Sequence, residues 1–166
     1  IEKMQGLERK LHPAAKYAGN PVLKGEHRWE DIAVQTRTPP QWVPEEKVWK
    51  TWYVASERPW AGEPGAGYMG YAFSSDGIHW EKPMLGVYNY HGSKQNNLIG
   101  NTTLENVVYD AHELEASRRY KGLAGTAGRV PVVSADGIHW KETGAPKFKS
   151  SDEAFMTYDE TSGQYL

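Results

Sequence analysis

Two seven-residue segments of nearly identical sequence, 74–80 and 134–140, constrain the fold of this chain more than any other feature. They read Ser-Ser-Asp-Gly-Ile-His-Trp and Ser-Ala-Asp-Gly-Ile-His-Trp, and their aspartates, Asp76 and Asp136, are 60 residues apart. A sequence that recurs in this way predicts one supersecondary unit used more than once. We therefore interpret the chain as an array of units before assigning chemistry to any single residue.

The composition predicts the fold class. Aromatic residues make up 12% of the chain, and 17 glycines and 10 prolines accompany them. Aromatic side chains are enriched in strands, whereas glycine and proline are enriched in the turns between strands. No long segment repeats its apolar residues with the 3.6-residue period of a helix. The chain is therefore expected to be all-β, with many short strands.

Each unit is predicted to contain three strands, an Asp-Gly turn and a fourth strand. The predicted strands are 32–36, 47–55 and 68–73 in the first unit, 106–110, 119–124 and 129–133 in the second, and 155–159 and 163–165 in a third. A four-stranded antiparallel unit with two apolar faces is typical of a β-propeller blade. The expected organisation is a lead-in at 1–25, blade one at about 26–90, blade two at about 97–145, and the start of blade three at 150–166.

The repeated heptads have a structural and a catalytic interpretation. In the structural one, the Asp-Gly step forms the tight turn between two strands, and Asp and Ser side chains accept hydrogen bonds from nearby backbone N–H groups. In the catalytic interpretation, Asp76 and Asp136 are catalytic residues, or His79 and His139 are metal ligands. Repetition favours the structural interpretation, because a catalytic residue is needed once whereas a turn recurs in every blade. The remaining histidines lack metal-ligand spacing, so neither a metal nor a cofactor is expected.

Charge and hydropathy exclude several classes of partner. The net charge is −2 without a basic stripe, which argues against nucleic acid. The longest apolar runs are only a few residues, so no membrane partner is expected. Disulfides and thiolate metal sites are excluded because the chain has no cysteine. The chain begins at Ile1, and its last residues lie in a predicted strand. We therefore expect a fragment, and the oligomeric state is left open.

The heptad resembles the Asp-box of sialidases, in which one residue normally separates Asp from Gly. It is more similar to bacterial proteins related to the N-terminal propeller of glycoside hydrolase family 32. Those proteins carry a Ser-x-Asp-Gly-Ile-His-Trp turn followed by Glu-Lys-Pro, here 81–83. The other similar segments are 20–23, 29–30, 92–97, 118–121, 158–159 and 163–165. The resemblance covers nearly the whole chain and implies a five-bladed propeller, of which about two and a half blades are present, in a secreted or periplasmic protein.

The resemblance also implies positions for the functional carboxylates. Relatives in families 32 and 43 place one carboxylate at the start of the innermost strand in each of the first three blades. By position, these are Glu30 and Asp31 in blade one, Glu105 in blade two, and Asp152 and Glu153 in blade three. The Trp-Met-Asn-Asp-Pro-Asn-Gly signature of family 32 invertases is absent, which argues against fructan as the substrate.

Glycoside hydrolysis uses two carboxyl groups about 5–5.5 Å apart for retention or about 6.5–9.5 Å apart for inversion. We predict Asp31 as the nucleophile or base and Glu153 as the acid. Asp152 is an alternative to Glu153, and Glu105 is a candidate to orient the sugar. Against these roles, each carboxylate can instead cap a strand or form a surface ion pair, since charged residues on loops are usually solvated.

Three functions follow from these features. The first is a glycoside hydrolase that cleaves a poly- or oligosaccharide, with Trp29, Glu30 and Trp60 as predicted substrate-binding residues. Trp29, Trp42 and Trp60 can stack on sugar rings, although each can equally be a packing residue. The second is a carbohydrate-binding propeller without catalysis, and the third is a protein-interaction scaffold. Paired carboxylates of perturbed pKa would favour the enzyme, whereas aromatic and amide groups alone would favour binding.

Overall fold

The computed structural model of the chain describes residues 6, 8–58, 67–151, 154–159 and 161–166. The described regular structure consists of eleven β-strands and two three-residue 3-10 helices, Arg28–Glu30 and Ala116–Arg118. The predicted all-β class is confirmed, as are antiparallel sheets of four strands. Within the described residues, no helix is long and apolar enough to cross a membrane.

The first sheet contains five strands. They are β1 (Ala33–Thr36), β2 (Gln41–Val43), β3 (Val48–Ser56), β4 (Gly67–Ser74) and β5 (Leu98–Gly100). The order is β1-β3-β4-β5, and β2 also pairs with β3. Because β1 and β2 pair with opposite ends of β3, they form one edge strand interrupted at residues 37–40. Pro39 and Pro40 explain the interruption, since proline has no N–H to donate to a neighbouring strand.

The second sheet has the predicted connectivity of three strands, a turn and a fourth strand. Its strands are β6 (Leu104–Tyr109), β7 (Tyr120–Ala124), β8 (Val130–Ser134) and β9 (Trp140–Glu142), hydrogen-bonded in chain order. A hairpin of β10 (Tyr158–Asp159) and β11 (Gln164–Tyr165) follows. The strands expected to open a third unit therefore pair with each other.

The first sheet differs from the prediction at its fourth strand. After the heptad, Glu81 forms only an isolated bridge with Phe73. Pro83 then prevents a continuous ladder, because it lacks a backbone donor. The chain returns to the sheet as β5, which pairs with β4 near Met69 and Gly70. The fourth position in this sheet is therefore filled by a segment that the sequence pattern did not indicate.

The two sheets pack face to face around Trp52 of β3. The Trp52 side chain is fully buried, and its indole Nε1 donates a hydrogen bond of 2.6 Å to the carbonyl oxygen of Gly137 in the second heptad. Its ring meets Tyr120 and Trp140 edge-on, with centroids 5.9 and 6.2 Å apart. The buried residues of this core are Val43, Trp52, Met69, Tyr71, Leu104, Val107, Tyr120 and Val132. One strand of the first sheet thus supplies the central side chain of the interface.

A cross-strand aromatic pair recurs in each of the three units. The paired residues, with their centroid distances, are Trp42–Trp49 at 5.3 Å, Tyr109–Tyr120 at 4.9 Å and Tyr158–Tyr165 at 5.0 Å. Each pair consists of residues directly opposite one another in the ladder. Such pairs stabilise neighbouring strands. The three units therefore share this aromatic pairing, and the first two also share the heptad.

A lysine also connects each unit to the next. Lys50 Nζ lies 5.2 Å from the centre of the Tyr120 ring, and Lys121 Nζ lies 5.3 Å from the centre of the Tyr165 ring. Each lysine directly follows the second member of its own unit's aromatic pair, which is Trp49 for Lys50 and Tyr120 for Lys121. Its ammonium group contacts the second member of the next unit's pair. The same contact therefore occurs at both junctions between units.

The other face of the first sheet has its own core. The buried residues there are Trp29, Tyr53, Ala55, Ala72, Tyr90 and Leu98, with Leu23, Val34, Tyr68, Trp80 and Tyr88 packed against them. Trp52 and Val54 face the second sheet, whereas Tyr53 and Ala55 face this core. Strand β3 is therefore covered on both faces.

Candidate functional site

Glu105, the second residue of β6, lies at the centre of a buried ionic cluster. Its side chain is 1% exposed and accepts hydrogen bonds from Arg37 Nη1 at 3.0 Å and Arg129 Nη2 at 2.7 Å. The backbone N–H of Ala154 lies 3.4 Å from its Oε2 atom. The side-chain amide of Asn106 in turn donates to the carbonyl oxygen of Ala154. Segments of all three units therefore meet at this one carboxylate.

The backbone around Glu105 is irregular. Asn106 has a φ of 53°, in the left-handed region that asparagine tolerates better than most residues. The β6–β7 register shifts between Glu105 and Val108. Such a bulge changes the direction of a side chain relative to a regular strand. The irregularity allows adjacent residues, Glu105 and Asn106, both to contact the segment at Ala154.

The register identifies Arg37 as the counterpart of Glu105 in the first sheet. In the first sheet, Thr36 pairs with Tyr53, which lies four residues after Trp49. In the second sheet, Leu104 pairs with Ala124, which lies four residues after Tyr120. Trp49 and Tyr120 are themselves equivalent, because each pairs with the first serine of a heptad. The residues that follow Thr36 and Leu104 therefore occupy equivalent positions and form an ion pair across the two sheets.

Asp31 lies in a different place from Glu105. It is exposed and accepts hydrogen bonds of 2.7 and 3.0 Å from Nε and Nη2 of Arg58. The Arg58 guanidinium holds the pKa of this carboxyl below its usual value. Asp31 precedes Arg37 by six positions, which corresponds to up to about 20 Å of extended chain. Among the described residues, no hydrogen bond or ion pair joins Asp31 to Glu105, and the Asp31 carboxylate pairs with Arg58 instead.

Glu30 is part of a buried network. Its carboxylate accepts hydrogen bonds from Tyr53 Oη at 2.6 Å, Lys82 Nζ at 2.8 Å and the backbone N–H of Glu26 at 2.8 Å. Burial alone would raise the pKa of Glu30, but these donors, led by Lys82, lower it overall. The carboxylate is therefore held ionised by groups of the protein itself.

Trp29 belongs to the same network. Its indole Nε1 donates to Asn97 Oδ1 at 3.0 Å, and Asn97 Nδ2 donates to the hydroxyl of Tyr53 at 2.5 Å. The Trp29 side chain is buried, and its ring stacks on His27 with centroids 4.6 Å apart. The polar atoms of Trp29 and Glu30, both predicted to bind substrate, are thus engaged within the protein.

Three of the predicted site residues lie outside the described part of the chain. They are Asp152 and Glu153, predicted as alternative acids, and Trp60, predicted to bind substrate. Their roles stay predictions.

A second polar cluster, around Glu57, had not been predicted. The Glu57 carboxylate accepts hydrogen bonds from Tyr90 Oη at 2.6 Å and Tyr68 Oη at 3.1 Å, and it lies 3.0 Å from His91 Nε2. Arg28 Nε lies 3.4 Å from the same group. Burial opposes ionisation, but Tyr90, His91 and Tyr68 together lower the pKa of Glu57. No sequence signal indicates this cluster, because its members come from four separate segments.

The heptads build two turns of the same geometry. In each, the aspartate Oδ1 accepts hydrogen bonds of 2.8 Å from two backbone N–H groups, and Oδ2 lies 2.7 Å from the histidine Nδ1. Burial opposes ionisation of Asp136, yet the bonds from His139 and Ile138 lower its pKa to about 2. The pKa of Asp76 is also lowered, chiefly by His79. Their carboxylates are thus occupied by the turn, as the structural interpretation of the repeat expects.

The described carboxyl groups share an electrostatic property. Wherever a shift in the pKa of a described carboxyl is resolved, the shift is downward. A general acid at neutral pH needs the opposite shift. Across the same part of the chain, no group of three or more acidic or histidine side chains is placed to hold a metal ion.

No protein-family model matches the chain, and no curated protein matches it at a significant level. Function is therefore inferred from the geometry of the chain itself.

Proposed function

We propose that the sheets of this chain are blades of a β-propeller that acts on carbohydrate, with glycoside hydrolysis as its activity. Two antiparallel sheets, of five and four strands, that stack face to face support the propeller arrangement. The recurring aromatic pair and the recurring lysine contact support a constant relation between one unit and the next. Sheets repeated radially in this way bring their innermost strands together at an axis.

The convergence of three units on Glu105 is the observation that carries this proposal. Arg37 comes from the first unit, Glu105 from the second and Ala154 from the segment leading to the third. Ligand sites favour such points, where several elements direct polar groups into one place. The two-carboxylate mechanism of glycoside hydrolysis needs charged groups from separate elements in this kind of arrangement.

Glu105 is a positioning residue in this proposal. Its carboxylate is almost fully buried and contacts two guanidinium groups, so it orients these groups and does not itself reach a substrate. Arg37 is 22% exposed at its side chain and is the part of the cluster that a sugar hydroxyl can reach. Glu105 fixes the orientation of that guanidinium.

The proposed acid directly precedes the Glu105 cluster in sequence. Asp152 and Glu153 come immediately before Ala154, and Ala154 contacts Glu105. We therefore retain Glu153, with Asp152 as its alternative, as the proposed acid. Asp31 is a weaker candidate for the nucleophile or base than the sequence indicated, because it is exposed and its carboxylate is paired with Arg58.

Carbohydrate binding without hydrolysis is the second candidate. The observation that favours it is the uniformly lowered pKa of the described carboxyl groups for which a shift is resolved. Such groups are ionised at neutral pH and accept hydrogen bonds from sugar hydroxyls, but they do not protonate a leaving group.

A panel of glycosides, assayed for hydrolysis and by calorimetry for binding, tests the proposal. We expect Glu153→Gln or Asp152→Asn to lower turnover by about 10²–10⁴-fold, the contribution typical of a general acid. Asp31→Asn, the matched control, should retain turnover. Binding of a sugar without turnover would select the second candidate. The absence of both would contradict a carbohydrate function.

A further inference from the structure

We propose that a pocket beside Trp140 binds one ring of a neutral sugar, apart from the Glu105 cluster. This Trp140 pocket has a volume of about 250 Å³ and is lined by residues 99–102, Leu104, Ala124, Val132 and residues 140–142. Pockets for drug-sized ligands measure about 300–1,000 Å³, so this one suits a smaller ligand. The choice of a sugar rests on the proposed function, whereas the site itself does not.

The floor of the Trp140 pocket is apolar and fixed in place. Leu104 and Val132 are almost completely buried. The indole Nε1 of Trp140 donates a hydrogen bond of 3.0 Å to the carbonyl oxygen of Gly137, which fixes the ring. A Cβ atom added to Gly122 would lie 2.9 Å from Leu104 and 3.3 Å from Trp140, so the glycine lets both side chains lie close against the sheet. A surface that is already ordered loses little conformational entropy when a ligand binds.

The rim of the Trp140 pocket is polar and unpaired. Asn101, Thr102, Lys141 and Glu142 are exposed, and in the described part of the chain their side chains make no hydrogen bond and no ion pair. An amide, a hydroxyl, an ammonium and a carboxylate together offer both donors and acceptors. Because the charges of Lys141 and Glu142 are opposite, the rim favours a neutral ligand with hydroxyl groups over an anion or a cation.

An apolar floor below a polar rim matches the two sides of a sugar ring. Such a ring presents C–H groups on one face and hydroxyl groups around its edge. The indole of Trp140 offers an apolar surface to the first, and the rim offers hydrogen-bonding partners to the second. Glu142 pairs directly with Val132 across strands β9 and β8. Residues paired in this way lie on one face of a sheet, so the carboxylate and the floor serve the same pocket.

The first sheet has a corresponding pocket with different walls. Trp80, the tryptophan of the first heptad, lines a pocket against residues 20–23, of which the last three are proline, valine and leucine. Lys82 holds the position of Glu142 in that sheet, but it is buried in an ion pair of 2.8 Å with Glu30. The free polar rim therefore belongs to the second sheet and does not follow from the repeat.

Nuclear magnetic resonance of the isotope-labelled chain tests this inference, with the methyl glycosides of glucose, galactose, mannose and xylose as probes. At least one probe should shift the Trp140 indole and the Asn101 side-chain amide resonances in a saturable way. Asn101→Ala and Glu142→Ala should each weaken that binding by about three- to tenfold, the effect of losing one hydrogen bond. Both variants should keep the spectrum of a folded chain, because the two side chains are exposed and unpaired. Glucuronate and glucosamine, which are charged, should bind more weakly.

Glu81→Ala is the matched control. Glu81 is an exposed carboxylate directly after the tryptophan of the first heptad, so its removal should leave the binding unchanged. The inference would be overturned if no probe shifted residues 99–104 and 140–142 at up to about 50 mM, above the millimolar range of weak binding. Equal binding by Glu142→Ala and the unaltered chain, or a preference for a charged sugar, would also overturn it.

This inference and the proposed hydrolysis fail in different ways. Turnover of a glycoside without shifts at the Trp140 pocket would overturn the inference and leave the proposed function in place. Saturable shifts at the pocket without turnover would support the inference and contradict hydrolysis.

Discussion

The ion pairs of Glu105 are the most consequential contacts at the scale of single residues. Taking a carboxylate and a guanidinium out of water is costly unless each finds partners of good geometry. Arg129 is completely buried, and its Nη2 atom lies 2.7 Å from Glu105 Oε2. Removing the carboxylate leaves a buried positive charge without this partner.

We predict that Glu105→Gln destabilises the fold by about 3–5 kcal/mol, the usual effect of breaking a buried pair. Urea unfolding of the two proteins measures the difference. Asp31→Asn is the control, because it removes a carboxylate whose partner, Arg58, is exposed. The urea midpoint of this variant should stay close to that of the unaltered chain. Equal midpoints for all three proteins would contradict the assignment of Glu105 to a buried cluster.

The heptad aspartates make stability depend on pH in the acid range. The pKa of Asp136 is about 2 in the folded chain, against about 4 for an unperturbed aspartate. A carboxyl whose pKa is lower in the folded state stabilises the fold above the unfolded value, and that contribution is lost as the pH falls toward the folded value. The unaltered chain should therefore lose stability between about pH 4 and pH 2.

Asp136→Asn should weaken this dependence on pH while lowering stability at neutral pH. Thermal unfolding at several pH values measures both effects. Lys141→Gln, on strand β9 directly after the turn, is a control that should leave the acid slope unchanged. The contrary result is an unfolding temperature of Asp136→Asn that falls as steeply with decreasing pH as that of the unaltered chain. It would show that Asp136 does not bind its proton more weakly in the folded state.

At the scale of elements, strand β3 connects the two cores. Trp52 faces the second sheet and is fully buried, whereas Trp49 is 37% exposed on the other face of the same strand. We predict that Trp52→Ala costs about 3–5 kcal/mol, the range for removing a large buried aromatic side chain. Trp49→Ala, a matched truncation, should cost far less. Chemical unfolding of both variants tests this, and similar losses would contradict the packing of the two sheets.

The strands themselves could largely be predicted from the sequence. The strand predicted at 47–55 is confirmed by β3, which spans Val48–Ser56. Two features could not be predicted. The interruption between β1 and β2 depends on the pairing of both with one longer strand, and β5 reaches its place only after a long excursion from the heptad. Local propensity does not encode either, because both depend on distant partners.

The candidate site was predictable only in part, for a related reason. Glu105 was identified from its place at the start of an inner strand. Arg37 and Arg129 were not, because their proximity to it arises when separate strands and sheets pack. The resemblance implied Glu30 and Asp31 as the counterparts of Glu105 in the first unit, but the observed register gives the equivalent position to Arg37. Tertiary packing, not spacing along the chain, decides which charges meet.

At the scale of the whole molecule, neighbouring units contact each other through their aromatic residues. The heptad turn of the second sheet receives Trp52 of the first, and Lys50 and Lys121 each reach the aromatic pair of the following unit. Arg37, Glu105 and Ala154 meet in the buried cluster. The proposed propeller and the candidate site both depend on these contacts between units.

The most direct test is nuclear magnetic resonance of the Trp52 indole proton. Nuclear Overhauser effects from this proton to Tyr120 and Trp140, with exchange as slow as global unfolding, are the predicted result, because the Nε1–H is buried in a hydrogen bond to Gly137. The indole protons of Trp42 and Trp49, on exposed side chains, should exchange much faster. Rapid exchange at Trp52 without contacts to the second sheet would contradict the stacked arrangement.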